Sequence, residues 1–326
     1  MHAISNSNMD NYSIGIDIGG TNTDIGLVEA SGRVAGRQRL STQTYTDKES
    51  YVAALSEGIR ALMQAQEISH IASIGIGAPN SNFFEGCIEA GTANLPIKER
   101  ILLKEMMERI FNVNVVVDND ANAAAYGELI YGGGRGMRHL ITITLGTGIG
   151  SGIIVDGKLV HGHTGTAGEL GHSIVMPHGR PCGCGRQGCI ETYASARGIC
   201  QNYIEAAEQA GRPLSVAERE SLTCQQVGEA AAQGDPIACQ AYKTTAQWLG
   251  IALANAANFS APEAIFLMGG PTRAGEALMQ PLRKYFKENL LFLYQNKISV
   301  RLSELNGNDA AILGAAALGR IRGLGD

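Results

Sequence analysis

Apolar and polar residues alternate along Tyr12–Gly19 (YSIGIDIG), and the run ends on glycines, which predicts a strand. The next stretch, TNTDIGLVEASGRVAGRQRLSTQ, predicts two more strands joined by a turn at Ala30-Ser31-Gly32. The period then changes. Across Asp47–Gln66, Val52, Leu55, Ile59 and Leu62 recur every three or four residues and predict a helix with one apolar face. IASIGIGAP (71–79) and VNVVVDND (113–120) predict strands with a helix near 98–111 between them, and a short helix, ANAAAYGELIYG, follows directly. The pattern restarts at 139–160 with HLITITLGTGIGSGIIVDGKLV, two strands around a Gly-rich turn.

The second half is richer in helix. Helices are expected at Ala194–Ala210, Thr223–Gly234, Ala238–Phe259, 274–288 and 309–321, with strands at 263–271 and 297–302. Strands alternating with helices predict an α/β fold. A strand–Gly-turn–strand unit occurs twice, as IDIGGTNTDIGLV and TLGTGIGSGIIV, so two lobes around a cleft are expected.

Composition narrows the functional classes. The chain has 326 residues, 44% of them hydrophobic, enough for two ordinary domains with real cores. Its net charge is −5 and it has no block of five like charges, which argues against a nucleic-acid partner. No apolar run is long enough to span a bilayer, and MHAISNSNMDNYS lacks the marks of a signal peptide. With an odd count of seven cysteines, a cytoplasmic protein with reduced thiols is expected. The 42 glycines fall in clusters, consistent with backbone held close to a ligand.

Two of those clusters, DIGGT (17–21) and LGTGIGSG (145–152), are turns between strands. Backbone N–H groups there can approach phosphate oxygens, and the threonines add hydroxyl donors. Neither is the dinucleotide fingerprint, because a strand follows, and neither has the lysine of a P-loop. One such turn alone would be an ordinary hairpin; two, with Asp17 at the first strand end, point to nucleotide. Asp17 would hold the hydrated Mg²⁺ that accompanies ATP.

VVVDNDANAAAYGE (115–128) sets Asp118, Asn119 and Asp120 where a buried strand meets a helix N-terminus. Helix capping accounts for one of the three. A polar trio at a sheet end also suits a ligand site, where an Asp can take the proton of an attacking hydroxyl. His172, Cys182, Cys184 and Cys189 read H-x9-C-x-C-x4-C, a Cys₃His set suited to a closed, structural Zn²⁺ site. His161, His163 and His178 are alternative fourth ligands. Cys87, Cys200, Cys224 and Cys239 read as ordinary buried thiols, and Trp248 as core.

With DNDANAAAYGE, GTGIGSGI, GTAGELGH and CGCGRQGCIE assembled, the chain resembles the ROK family of sugar kinases and repressors, from DIGGT at 17–21 to ILGAAAL at 312–318. The resemblance implies an actin/hexokinase-like, ribonuclease-H-type two-lobed fold. Its expected lobes are 12–120 plus 307–326 and 121–306, with ATP and sugar between them. It implies Asp120 as catalytic base, and Asn94, Asn119, Asp120, Glu169, His172 and Glu191 as sugar ligands. The nucleotide falls to Asp17, Gly19, Gly20, Thr21, Gly146, Thr147, Gly148, Gly269 and Gly270, and zinc to His172, Cys182, Cys184 and Cys189. The implied activity is ATP-dependent phosphorylation of the glucose 6-hydroxyl. N-acetylmannosamine, fructose and allose kinases are the rivals, and a non-catalytic sugar-binding regulator is the alternative from another class. Sixteen residues ahead of Asp17 are too few for a DNA-binding domain. A homodimer is a family-level expectation.

Overall fold

The computed structural model describes residues 12–92, 95–305, 307 and 309–321. These fall into two compact units. The first holds the described residues up to Gly136, Leu159–Ala167 and those from Glu304 on; the second holds Met137–Lys158 and Gly168–Ser303.

The first unit runs β1 (Tyr12–Ile18), β2 (Asn22–Glu29), β3 (Val34–Ser41), α1 (Lys48–Ala65) and β4 (Ser73–Gly77). Then come the short strands β5 (Ser81–Asn82) and β6 (Cys87–Ile88), α2 (Leu103–Phe111), β7 (Asn114–Asp118) and α3 (Asp120–Tyr131). Its five-stranded sheet has the order β3-β2-β1-β4-β7. The first three strands form an antiparallel meander, while β1, β4 and β7 run parallel. Parallel neighbours bring three strand C-termini to one edge, where α/β sheets place their ligands.

Ile14, Ile16, Ile74, Ile76, Val115 and Val117 are buried in this unit's core. Between them the sheet is pared to glycine. A Cβ on Gly15 would lie 2.1 Å from the carbonyl O of Ile312, and one on Gly75 would lie 1.8 Å from that of Ala315. The last helix, Ala310–Gly319, therefore rides directly on the strand backbones. It meets α3 just as closely, since a Cβ on Gly314 would sit 2.6 Å from the Ala123 carbonyl O. This packing ties α3 to the first unit, which extends to Gly136.

The second unit runs β8 (Leu140–Leu145), β9 (Ile149–Val155), a two-residue edge strand β10 (Lys158–Leu159), α4 (Glu191–Ala194), α5 (Ala196–Gln209) and α6 (Val216–Ser221). It continues with α7 (Cys224–Ala232), α8 (Pro236–Ser260), β11 (Ala264–Met268), α9 (Glu276–Asn289) and β12 (Ser299–Leu302). The sheet order β10-β9-β8-β11-β12 echoes the first: β8 and β9 pair antiparallel, and β8, β11 and β12 run parallel. The core is built on α8, whose Leu249 and Leu253 pack with Ile265, Leu267, Leu278 and Leu282. Asp235 caps that helix through the Ala238 N–H at 2.8 Å, and Pro236 occupies its first turn, where its missing N–H costs nothing.

Several short elements differ from expectation. The helix expected from 98 begins at Leu103, because Ile101 is spent in an extended bridge to Ile88. The short α6 has no buried residue and is held by a capping box between Ser215 and Glu218.

Candidate active site

At the C-terminal edge of the first sheet, Asp17 pairs in register with Gly77, and Gly77 with Asp118. The glycine lets α3 pack close, since a Cβ there would stand 3.2 Å from the Ala123 Cβ. Asp17 is pushed up to about 6 from 3.8, first by burial, then by the negative charges of Asp120 and Asp24. Asp24 is held by Arg39 through two hydrogen bonds of 2.6 and 2.9 Å. Asp120 is exposed, so a substrate hydroxyl can reach it, yet the protein around its base strips hydration and raises its carboxyl above the usual range. Two carboxylates that repel one another at this end of the sheet could together hold a divalent cation.

Asn119 is the N-cap of α3: its Oδ1 accepts the Ala121 N–H at 2.9 Å. The same N–H lies 2.8 Å from Asp120 Oδ1, which fixes that carboxylate at the helix start. Capping therefore accounts for Asn119 and leaves its amide NH₂ for a ligand. Gly19, Gly20 and Thr21 form the turn after β1, closed by the Gly19 N–H on the Asn22 carbonyl at 2.9 Å. Asn94 lies outside the described residues.

In the second unit the matching turn, Gly146-Thr147-Gly148, joins β8 to β9, with the Gly146 N–H on the Gly148 carbonyl at 2.9 Å. The Ala196 N–H donates to the Gly146 carbonyl at 2.8 Å, tying the turn to α5. Gly269 follows β11 with φ +105°, and a Cβ there would stand 2.0 Å from the Leu145 carbonyl, so this chain also lies flush on the end of β8. Beside these glycines opens a cavity of about 420 Å³ lined by Thr147, Cys224, Gly228, Tyr242, Pro271 and Arg273 among others. Gly270 lines it too. Cys224, read as an ordinary buried thiol, is only partly buried and faces this cavity. The α7 and Tyr242 contributions were missed in the sequence, where nothing but the Gly228 gap in an Ala-rich helix marks them. Trp248 packs half-buried against the core, its ring 5.4 Å from that of Tyr193.

Glu169, His172 and Glu191 gather around the start of β9. Glu191 Oε2 accepts the Ile149 N–H at 2.9 Å. The loop 168–172 is pressed against the same strand, because a Cβ on Gly171 would be 2.2 Å from the Ile149 carbonyl. Ser151 Oγ donates to the Gly168 carbonyl and accepts the Leu170 N–H at 3.3 Å. Glu169 is exposed and His172 half-buried.

Behind them, one ligand atom each from His172, Cys182, Cys184 and Cys189 lies within 4.8 Å of the others. Cys182 Sγ is 3.6 Å from His172 Nδ1, and Cys184 Sγ is 3.7 Å from Cys189 Sγ. Tetrahedral zinc with ordinary bond lengths has edges of about 3.8 Å between sulfurs and about 3.6 Å from sulfur to nitrogen. The residues therefore fit the metal. Cysteines as hard-packed neighbours would gain nothing from this spacing, and all seven are free of disulfides. Arg186 beside Cys184 draws that thiol below its usual range, while burial pushes Cys189 up. Of the alternative histidines, His161 instead faces Asp118.

Comparison with known proteins identifies relatives of the whole chain. Residues 13–321 match the model of the family described as "ROK family". A glucokinase of Streptomyces coelicolor is 35% identical over 315 residues, covering 94% of this chain and 97% of that protein. A xylose repressor of Caldicellulosiruptor bescii is 30% identical over 314 residues, covering 94% of this chain and 77% of the repressor. The structure is similar to that of a ROK family glucokinase from Streptomyces griseus in complex with glucose and AMPPNP. That match has a TM-score of 0.76 and 34% identity, and it covers 95% of this chain and 99% of the other.

Proposed function

The chain belongs to the ROK family, and on that basis we propose that it is an ATP-dependent hexose kinase acting on the 6-hydroxyl of glucose. Asp120 carries the reading: a solvent-reachable carboxylate with a raised pKa at a helix start, in a chain similar throughout to a glucokinase bound to glucose and an ATP analogue. A regulator that only binds sugar has no need of such a base, and this weighs against the repressor alternative.

In this reading Asp120 takes the proton of the 6-hydroxyl as its oxygen attacks the γ-phosphorus of ATP, and ADP departs. A positioned base of this kind contributes on the order of 10²–10⁴ in rate. Asn119, Glu169, His172 and Glu191 hold the sugar hydroxyls. Gly19–Thr21 and Gly146–Gly148 offer backbone donors to the phosphates, and Gly269 and Gly270 flank the cavity that takes the adenosine. Mg²⁺, seated by Asp17, neutralises charge on the transferring phosphoryl group when bound. Zinc on His172, Cys182, Cys184 and Cys189 is structural, with all four positions filled by protein. No helix among the described residues is long and apolar enough to cross a membrane. We further read the protein as a cytoplasmic homodimer.

A panel of glucose, mannose, N-acetylmannosamine, fructose and allose with ATP, followed by coupled ADP release, tests the assignment. Glucose is expected to give the highest kcat/KM. Absence of turnover above background with every sugar would remove the kinase reading, and a different preferred sugar would reassign the acceptor.

A further inference from the structure

Asp118 is the one member of the Asp118–Asn119–Asp120 trio left without a part in the reaction. It is only 1% exposed, and a buried carboxylate must find partners or pay heavily for lost hydration. Its Oδ1 accepts the Asn119 N–H at 2.7 Å and the Asn122 side-chain amide at 2.9 Å. Its backbone carbonyl accepts the Ala78 N–H at 2.9 Å. The other carboxylate oxygen, Oδ2, meets His161 Nε2 at 2.7 Å.

His161 comes from the short segment Leu159–Ala167, which belongs to the same compact unit as Asp118. Its side chain is 11% exposed, and its ring stacks on that of Phe83 with centroids 3.7 Å apart and planes 13° from parallel. The His161 carbonyl accepts the Ala167 N–H at 3.1 Å, which closes the loop behind the ring. The stack fixes the ring plane, and the hydrogen bond fixes its rotation within that plane. A hydrogen bond from an oriented ring to a carboxylate that itself grips the Asn119 N–H reaches the junction where β7 becomes α3. Asn119 and Asp120 are the next two residues.

We propose that His161 is a positioning residue for phosphoryl transfer: through Asp118 it sets the β7–α3 junction and thereby the aim of the Asp120 carboxylate. The inference rests on Asp120 being the base. Misplacing a reacting group by about 1 Å can cost about a hundredfold in rate, so losing one anchor of this junction acts on kcat. A histidine that merely satisfied a buried carboxylate would change thermal stability and leave the kinetics alone.

The test uses the full chain with saturating glucose and ATP. His161→Ala is expected to lower kcat by roughly 10- to 100-fold while KM for ATP stays near the parent value. His161→Gln, whose amide reaches about as far as Nε2, is expected to restore most of kcat while losing the stack on Phe83. A kcat for His161→Ala close to the parent overturns the proposal, as does equal damage in Ala and Gln variants, which would assign the effect to ring packing. Should His161→Ala not fold, Asp118→Asn serves in its place: parental kcat in that folded variant also overturns it. Asp120→Asn is measured alongside. If it retains kcat, the base assignment fails and the proposal with it; if it is inactive while His161→Ala is fully active, only the positioning role fails.

Discussion

Glu191 Oε2 accepts the backbone N–H of Ile149 at 2.9 Å, so a proposed sugar ligand is tethered to the residue that follows the second glycine turn. A Cβ placed on Gly148, the last residue of that turn, would lie 2.5 Å from the same oxygen. The turn and the carboxylate thus share one small volume. Gly148→Ala should push the Glu191 side chain aside at little cost in stability, because the obstructing atom ends a flexible chain. The expected outcome is a rise in KM for glucose of roughly 10-fold, equivalent to about 1.4 kcal/mol of lost binding, with the melting temperature hardly moved. An unchanged KM for glucose would show that Glu191 does not hold the sugar.

Asp120 gives the clearest pH signature. Only its carboxylate can accept a proton, so log(kcat/KM) should fall as pH drops through its pKa. Since burial raises that pKa, the acid limb is expected above the ordinary aspartate value of about 3.9. Asp120→Asn should abolish that limb and lower kcat at least about a hundredfold, with glucose binding retained. Near-parental kcat in this variant would take Asp120 out of the role of base.

How much of this was legible in the residues depends on range. The strands at Tyr12–Ile18 and Leu140–Leu145 and the helix Lys48–Ala65 announce themselves through local period, and the Cys₃His spacing announces its cluster. The shared sheet plan was visible only as two similar hairpins, because which parallel strand lies beside which is decided by crossovers that leave no local mark. The extent of the first unit is hidden for a similar reason. The reach of Gly314 towards Ala123 binds α3 to a helix near the other end of the chain, and nothing near residue 120 encodes it. His161, considered only as a metal ligand, acquires its role from Asp118 and Phe83, 43 and 78 positions away. By contrast α6 was readable: Ser215-x-x-Glu218 is a capping box, and reading for apolar periodicity passes over a helix with no buried face.

Asp17 should be a stability cost accepted for function. Folded Asp17 keeps its proton to about pH 6, against 3.8 for the ordinary group, so between those values the folded state binds more protons than the unfolded one. Its contribution is therefore most favourable below the lower value and declines as pH rises through the window. At pH 8 the charged form costs at most about 3 kcal/mol, less what water screens at this partly open strand end. Asp17→Asn, without nucleotide or metal, should melt above the parent at pH 8 and converge with it near pH 4, while losing phosphoryl transfer. A variant that melts below the parent at both pH values would contradict this account.

The zinc assignment makes a prediction that separates structure from chemistry. His172 presents Nδ1 to the cysteine cluster, at 3.6 Å from Cys182 Sγ, so its other nitrogen is the one left for a sugar hydroxyl. Arg186 binds the His172 carbonyl at 2.9 Å and lowers the Cys184 thiol, so the same loop anchors the histidine backbone and favours the thiolate that zinc requires. Purified protein should contain close to one zinc per chain. Cys184→Ser should lose the metal and, because an unanchored imidazole no longer points steadily at the sugar, should weaken glucose binding by roughly 10- to 100-fold. Cys239→Ser, a thiol that donates to the Ala231 carbonyl away from the cluster, should keep both zinc and activity and serves as the control. Metal analysis and glucose titration on the same three preparations decide the matter. Zinc lost with glucose affinity unchanged would leave the metal a staple of the loop alone, and His172 would then be held by its hydrogen bonds without it.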